Sequence, residues 1–364
     1  MTGLYIHIPF CKKRCSYCSF VIAGWNEEIE NRYIERLIEE MQQYRGVKLE
    51  TIYFGGGTPS MLSINGVKKI FNSLNEIFIC DAIEVTFECN PENINDDYLS
   101  TLKDCGVNRI SLGVQTFSND ILKIINRVHT SEDAIKAIEQ TKKHFKNFSI
   151  DLILGLPEYS LDVLEKDLNI ALKYDVPHFS LYGLSVEENT KLFYDKENKL
   201  VKLPNEDITA DYYDYSYKKL EENNIFRYEV SNFSKKGYES KHNLKYWTMQ
   251  EYIGIGIAAH SFFECKRFHN VNSLKKYLEE DNSEIRIVDY EVGVSDFAHE
   301  YLILGLRLDE GVNINDFESK TNIKFFEHYK DFYNKYENCF IYENGNLKIK
   351  HDYKYVMNYI LSDL

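Results

Sequence analysis

The stretch Tyr5-Ile-His-Ile-Pro-Phe-Cys-Lys-Lys-Arg-Cys-Ser-Tyr-Cys-Ser-Phe20 sets Cys11, Cys15 and Cys18 in a C-x3-C-x2-C spacing directly after a short apolar run. A cubane iron-sulfur cluster normally takes four thiolates, so three local ones hold it and leave one iron with an open position for a small molecule. The competing readings are a zinc site or a chance cluster of thiols. Zinc structural sites want four ligands and usually a shorter first spacing. The run Leu4 to Ile8 that leads into the loop reads as a strand, which puts the cysteines at a strand's carboxyl end.

Working outward, residues 3 to about 185 alternate strand-like runs with amphipathic helical windows, the pattern of repeated βα units around a parallel sheet. The candidate strands are Leu4 to Ile8, Thr51 to Phe54, Ile83 to Phe87, Arg109 to Leu112, Phe148 to Ile153 and His178 to Tyr182. Helical windows include Glu27 to Tyr44, with Ile29, Tyr33, Leu37 and Met41 on one face, and Leu161 to Leu172. Cys11 to Cys18, Gly55 to Thr58, Glu88, Gln115 and Asp151 then fall at or just beyond strand carboxyl ends, where α/β folds collect ligands. Glycine in Gly55-Gly56-Gly57-Thr58 lets backbone pass close to a ligand; taken alone the triplet is equally a tight strand-to-helix turn.

Beyond residue 190 the pattern changes, with Lys191 to Asp207 as a polar boundary. This divides the chain into residues 1–190, a connecting region 191–290 and a carboxy-terminal unit 291–364. In the last, Ser295 to Arg307, Val312 to Glu318 and Asn322 to Tyr336 read as helices, and Cys339 to Ile349 as a hairpin around Asn344-Gly345. Helices followed by a hairpin suggest a winged-helix-like α+β cap.

The composition excludes several classes. The 364 residues carry 43 basic and 57 acidic side chains, a formal charge of −14, which argues against a nucleic-acid footprint. Lys12, Lys13 and Arg14 form the one basic cluster beside the cysteine loop and read as a solvated loop. No apolar run reaches the roughly 18 residues of a membrane span, and the first residues lack signal-peptide regions, so the expected place is the cytoplasm. The other five cysteines, Cys80, Cys89, Cys105, Cys265 and Cys339, are scattered and read as core thiols in a reducing compartment.

Together, the Tyr5 to Cys18 stretch and Tyr53-Phe-Gly-Gly-Gly-Thr-Pro-Ser60 resemble the radical S-adenosylmethionine (SAM) superfamily, and more narrowly its coproporphyrinogen oxidase-like branch. The likeness continues through Phe87-Glu-Cys-Asn-Pro91, Ser111-Leu-Gly-Val-Gln-Thr-Phe117, Asn126-Arg-Val-His129 and Asp151-Leu-Ile-Leu-Gly-Leu-Pro157. It implies a partial (βα)6 TIM-like barrel, open because six units are too few to close eight strands. It also implies a 4Fe-4S cluster on Cys11, Cys15 and Cys18 that, when reduced, passes an electron to SAM. The residues it places against SAM are Tyr5, Tyr17, Gly56, Gly57, Thr58, Glu88, Gln115, Arg127 and Asp151, with Ser185 at a weaker contact position. Their chemistry suits such a ligand, with Arg127 for a carboxylate, Glu88 or Asp151 for hydroxyl or amino groups, and Tyr17 for adenine.

Two departures separate the chain from the oxidase proper. The oxidase pattern is C-x3-C-x2-C-x-C, whereas here Phe20 follows Ser19; and Tyr5 already lies in the first strand, where the oxidase has a preceding segment. Both resemble the heme chaperone (HemW-type) branch. That branch also resembles this chain in His242-Asn-Leu-Lys-Tyr-Trp247. By residue type alone, His242 and Asn243 read as a helix cap and Tyr246 and Trp247 as core. By resemblance, His242, Asn243, Tyr246 and Trp247 form a heme motif, with His260 or His7 as other candidates for the iron ligand. The implied function is a heme carrier, cytosolic or at a membrane surface, that passes heme to an acceptor hemoprotein and is compatible with a homodimer. The alternatives are radical SAM decarboxylation of coproporphyrinogen III to protoporphyrinogen IX and a radical enzyme acting on another substrate.

Overall fold

The computed structural model describes residues 1–364. Its frame is a run of parallel strands paired in chain order: β1 (Thr2–Ile8), β2 (Lys48–Gly56), β3 (Ile79–Cys89), β4 (Arg109–Gln115), β5 (Asn147–Leu154) and β6 (His178–Gly183). All six expected strands are present, and β2 and β3 begin a few residues earlier than their apolar runs suggest. Side chains alternate across each strand. One set, including Leu4, Ile6, Phe54, Phe87, Ile110, Leu112, Ile150 and Phe179, is fully buried in the main core. The helices supply the other half of that core, as Tyr33, Leu37 and Met41 do from the helix Glu27–Met41. Side chains of the other set meet one another on the opposite face: Tyr53 reaches Glu88, and Ser111 reaches Ser149 and Asp151. This face is a polar interior, buried yet hydrogen-bonded.

Local chemistry sets where the helices start. Asn26, Ser63, Asn95, Thr130 and Ser160 each accept a backbone N–H of the first turn, and Thr130 with Asp133 completes a capping box. Each cap stops a strand-to-helix loop at a fixed point and so holds the loop ends over the sheet edge.

The sheet is larger than the six repeats. At one end, β7 (Phe226–Arg227) and β8 (Asn232–Ser234) continue antiparallel from β6. At the other, β9 (Tyr252–Ile255) lies parallel to β1, and β10 (His260–Phe263), β11 (Lys266–Asn270) and β12 (Arg286–Glu291) add an antiparallel meander. The result is one open sheet of 12 strands with β12 and β7 as its edges. The polar stretch after residue 190 is itself helical at Lys191–Glu197.

A separate core begins at Ala298 and runs to Leu361. It holds a three-stranded antiparallel sheet, β13 (Val312–Asn313), β15 (Asn346–Ile349) and β14 (Phe340–Glu343), packed on helices. The hairpin turns at Asn344 and Gly345, both at positive φ (51° and 82°), as the sequence leads one to expect. Two expected helices differ. Val312 pairs with Leu347 as strand before the helix Ile314–Thr321 starts. The window Asn322 to Tyr336 breaks into Phe325–His328 and Lys330–Tyr336, because Asn322 adopts a left-handed cap and Tyr329 leaves helical geometry while Phe325 and Phe332 both reach the core.

The scattered cysteines need a correction. Of the five, only Cys89 is buried; Cys80 and Cys265 are exposed, and Cys105 and Cys339 lie between. Cys80 sits on the uncovered start of β3, and Cys265 on the tip of the β10–β11 turn, so neither has a layer above it.

Candidate functional site

The carboxyl ends of β1 to β6 open into a cavity of about 370 Å³. Its wall gathers Cys11, Cys15, Cys18, Tyr17, Gly56, Gly57, Thr58, Glu88, Gln115, Arg127, Asp151 and Ser185. Segments separated by up to 174 positions in the chain (11 to 185) thus meet at one sheet edge.

The cysteine loop is pinned at both ends and in its middle. Cys11 N–H donates to Ala23 O (3.1 Å), and Ala23 N–H returns a bond to Pro9 O (2.8 Å). Ser16 N–H donates to Ile125 O at 3.0 Å, and Asn126 donates its side-chain amide to Arg14 O at 2.7 Å. Against this loop lies the glycine turn after β2. Gly57 N–H donates to Ile8 O (2.8 Å), and a Cβ on Gly57 would stand 2.7 Å from Pro9 backbone atoms. Gly56 has φ +109°, and a Cβ there would stand 2.6 Å from the His7 ring. Gly56 requires glycine for its left-handed backbone, and Gly57 because a Cβ would meet backbone that cannot move aside. Thr58 finishes the turn with its hydroxyl 3.3 Å from Cys11 Sγ, while Asn90 donates to it at 3.2 Å.

Charge is arranged around this cradle. Arg127 donates to Gly113 O (2.5 Å), to Asn90 Oδ1 (2.9 Å) and to Cys15 Sγ (3.5 Å), and its buried Nε has no protein partner. Burial opposes its charge, but Tyr17, Cys15 and Glu92 outweigh this and hold the guanidinium more firmly protonated than usual. Burial pushes the Cys11 and Cys18 thiols up from their ordinary value. Glu88 is pushed up to about 7, mainly by burial and further by Asp151; the Tyr53 hydroxyl at 2.7 Å, the Gly56 N–H and Arg109 pull the other way. Asp151 is also raised by burial, against hydrogen bonds from Ser180 and Ser111 and the charge of Arg109. Gln115 reaches the wall from a left-handed backbone (φ 68°), a strained conformation kept where a side chain must point at a site.

The donor set fits a thiolate-held cluster and a polar ligand bearing both charges. Three thiols share one wall, the glycine turn packs on the cysteine segment too closely for a Cβ at Gly57, and Arg127, Glu88 and Asp151 line the same space. Asn90, Glu92, Ser111 and Tyr182 also line the cavity, and the sequence pattern alone does not mark them as site residues. Asn90 stands inside the Phe87 to Pro91 motif, and its place between Thr58 and Arg127 is a tertiary fact. Tyr5 is not part of this wall: its hydroxyl pairs with His7 Nδ1 at 3.1 Å and its ring lies along Tyr53.

The His242 motif lies elsewhere, against the opposite end of the polar interior. The helix Lys241–Trp247 is capped by Ser240, not by His242 or Asn243, and Glu84 accepts from Lys241 N–H (3.0 Å) and His242 N–H (2.9 Å). His242 is fully buried, with Nδ1 2.9 Å from Thr51 Oγ1 and Nε2 2.8 Å from Tyr246 Oη. Burial, with Lys245 and Arg109, holds its imidazole down to about 3. Its ring packs on Tyr53, whose hydroxyl bonds Glu88, so the motif and the cavity are joined through one tyrosine. Tyr246 lines a separate cleft of about 380 Å³ with Tyr252, Tyr290 and Leu304, while Asn243 and Trp247 are half-buried. His242→Ala is therefore expected to cost on the order of 2–4 kcal/mol of stability, seen as a lowered thermal midpoint.

Comparison with known proteins agrees with this geometry. Residues 5–171 match the model of the Radical SAM superfamily, and residues 295–347 match the HemN C-terminal domain. The heme chaperone HemW of Lactococcus lactis is 39% identical over 88% of this chain and 85% of that protein. The heme chaperone HemW of Bacillus subtilis is 37% identical over 88% of this chain and 87% of its own. Among solved structures, coproporphyrinogen III oxidase (HemN) from Escherichia coli superposes with a TM-score of 0.85, covering 99% of this chain and 89% of that one at 19% identity, a likeness of fold.

Proposed function

This chain belongs to the heme chaperone HemW family within the radical SAM superfamily, and from that membership we propose that it binds heme and hands it to an acceptor hemoprotein. The observation that carries the reading is the identity with heme chaperones over nearly the whole chain. It is supported by the residue that follows Ser19: the chain has Phe20, 63% exposed at the cavity mouth, where the oxidase pattern has a fourth cysteine.

Cys11, Cys15 and Cys18 would hold a 4Fe-4S cluster, and the cluster when bound supplies one-electron chemistry toward SAM. The remaining steps belong to the chain's own groups. Gly56 and Gly57 let the turn after β2 pack directly on His7 and Pro9, which sets its backbone in the cavity wall beside the cysteine loop. Arg127 lines the cavity and offers its guanidinium charge to a carboxylate. Glu88 and Asp151 offer carboxylates to a cationic or hydroxyl-bearing part of SAM, with Tyr17, Thr58, Gln115 and Ser185 completing the wall. Heme, as cargo, is assigned to the His242 to Trp247 motif. Tyr246 and Trp247 provide ring surface, and His242 reaches iron only when the helix Lys241–Trp247 leaves its seat on Glu84 and Thr51. The family names neither the acceptor nor the compartment; no helix is long and apolar enough to cross a membrane.

Glu88 gives this reading a pH signature. A cationic ligand group prefers the carboxylate, so SAM affinity should rise as pH passes upward through about 7, by up to about tenfold per unit below it, and level off above. The ligand-free fold behaves oppositely. A raised folded value means stability fully present below the ordinary carboxyl range and lost as pH rises through about 7. Equilibrium binding of SAM to the reconstituted protein from pH 6 to pH 8 checks the first, and Glu88→Gln should flatten it. A wild-type profile already flat would remove Glu88 from the SAM contacts.

A further inference from the structure

On the meander beyond β9, two to four strands along the sheet from β1, three ligating side chains face one another across three strands. His260 on β10 and His269 on β11 are directly opposed in the antiparallel register. Their rings stack with centroids 5.0 Å apart and 26° between planes. Asp289 comes from β12, where the register shifts beside it: Arg267 opposes Tyr290 but Phe268 opposes Val288. The irregularity turns the carboxylate toward the imidazoles, with Oδ1 2.8 Å from His269 Nδ1. A β-bulge commonly re-aims a side chain in this way.

His269 Nδ1 is buried and lies 2.8 Å from Asp289 Oδ1, so the imidazole and the carboxylate already stand at contact distance. One ligand atom from each of His260, His269 and Asp289 lies within 4.8 Å of the others. None of the three is engaged elsewhere, whereas the neighbouring Arg267 is committed to Glu300 and to Tyr252. The strand frame is fixed independently by backbone pairing and by the tight β10–β11 turn, in which Glu264 and Cys265 both take positive φ (50° and 56°).

We propose that His260, His269 and Asp289 form a binding site for one borderline divalent transition-metal ion, Zn²⁺ being the representative. Two imidazoles and a carboxylate are the donors such ions select, while Mg²⁺ and Ca²⁺ want oxygen alone. Three protein ligands leave at least one coordination position for water or an external group. The site is separate from the cluster thiols and from the cavity.

Calorimetric titration of the cluster-loaded full-length protein with Zn²⁺ under anaerobic conditions tests this, because iron then already occupies the thiolates. One Zn²⁺ per chain is expected, with affinity at least about tenfold weaker in His269→Ala and in Asp289→Asn, and no response to Mg²⁺. The side chains are on a partly exposed face, and circular dichroism checks folding; His260→Gln, which keeps a polar side chain of similar reach, serves as a further variant. Absence of zinc binding in the wild type, or equal binding in the folded variants, overturns the proposal. Heme titration of the same variants separates this site from the cargo site. Heme binding unchanged where zinc binding is lost supports a metal site of its own. Heme binding lost together with zinc binding assigns the imidazoles to heme iron instead and overturns it.

Discussion

Cys11→Ala is expected to abolish the iron-sulfur absorbance near roughly 400 nm of the anaerobically reconstituted protein. The loop offers three thiols, and a cluster that already lacks a fourth protein ligand has none to spare. No other thiol is placed to substitute. Cys89 borders the same cavity, yet its thiol turns toward Phe87 O at 3.9 Å and burial, then Glu88, push it well above its ordinary value. Cys80, Cys105, Cys265 and Cys339 lie on other elements away from that wall. Cys89→Ala should therefore keep the spectrum while Cys11→Ala, Cys15→Ala and Cys18→Ala each lose it. Iron and sulfide content measured beside the spectrum decides the matter. An intact cubane spectrum in Cys11→Ala would remove the cluster from this loop.

Gly57→Ala is expected to produce the second large loss. Its new Cβ would lie 2.7 Å from Pro9 C and O and 3.0 Å from Ile8 O, all backbone atoms of the segment that carries Cys11. Backbone cannot rotate aside as a side chain can, so the glycine turn and the cysteine loop must separate, at a cost of about 1–3 kcal/mol. The hydrogen bond from Gly57 N–H to Ile8 O is strained in the same movement. SAM affinity should drop at least about tenfold, since about 1.4 kcal/mol of lost contact suffices for that. Gly24→Ala is the matched control, because a Cβ there meets nothing within 4 Å. Normal SAM binding in Gly57→Ala would mean that the turn does not cradle the ligand.

The contents of this cavity were largely legible because they lie next to strand ends. A strand carboxyl end fixes the place of the residues that follow it, so Cys11, Gly56, Glu88, Gln115 and Asp151 could be brought together from periodicity alone. Less legible were features set by contacts distant in sequence. β9 joins β1 through Gly3–Tyr252 to Ile6–Ile255, and four residues of apolar run carry no mark of so remote a partner. Arg109 opens β4 and reads as a charged strand end, yet it is 2% exposed with no carboxylate in salt-bridge range. It acts at a distance on Glu88 and Asp151. His242 shows the same limit. Its local pattern suggests either a cap or a ligand, while Ser240 caps the helix, Glu84, 158 positions away, accepts the His242 N–H, and Thr51 and Tyr246 take both ring nitrogens.

These placements make the heme assignment a question of movement as well as composition. On the proposed assignment a buried His242 would bind iron only at the expense of its present partners, so heme loading is expected to require release of the helix Lys241–Trp247. The same coupling reaches Glu88 through Tyr53.

The central claim is tested most directly by anaerobic titration of the reconstituted protein with heme, following the Soret band, alongside an assay for coproporphyrinogen III decarboxylation with SAM and a reductant. A heme carrier should show saturable, stoichiometric heme binding, weakened in His242→Ala, with no protoporphyrinogen IX formed. Turnover of coproporphyrinogen III without stable heme binding would contradict that claim and make the chain an enzyme of tetrapyrrole synthesis.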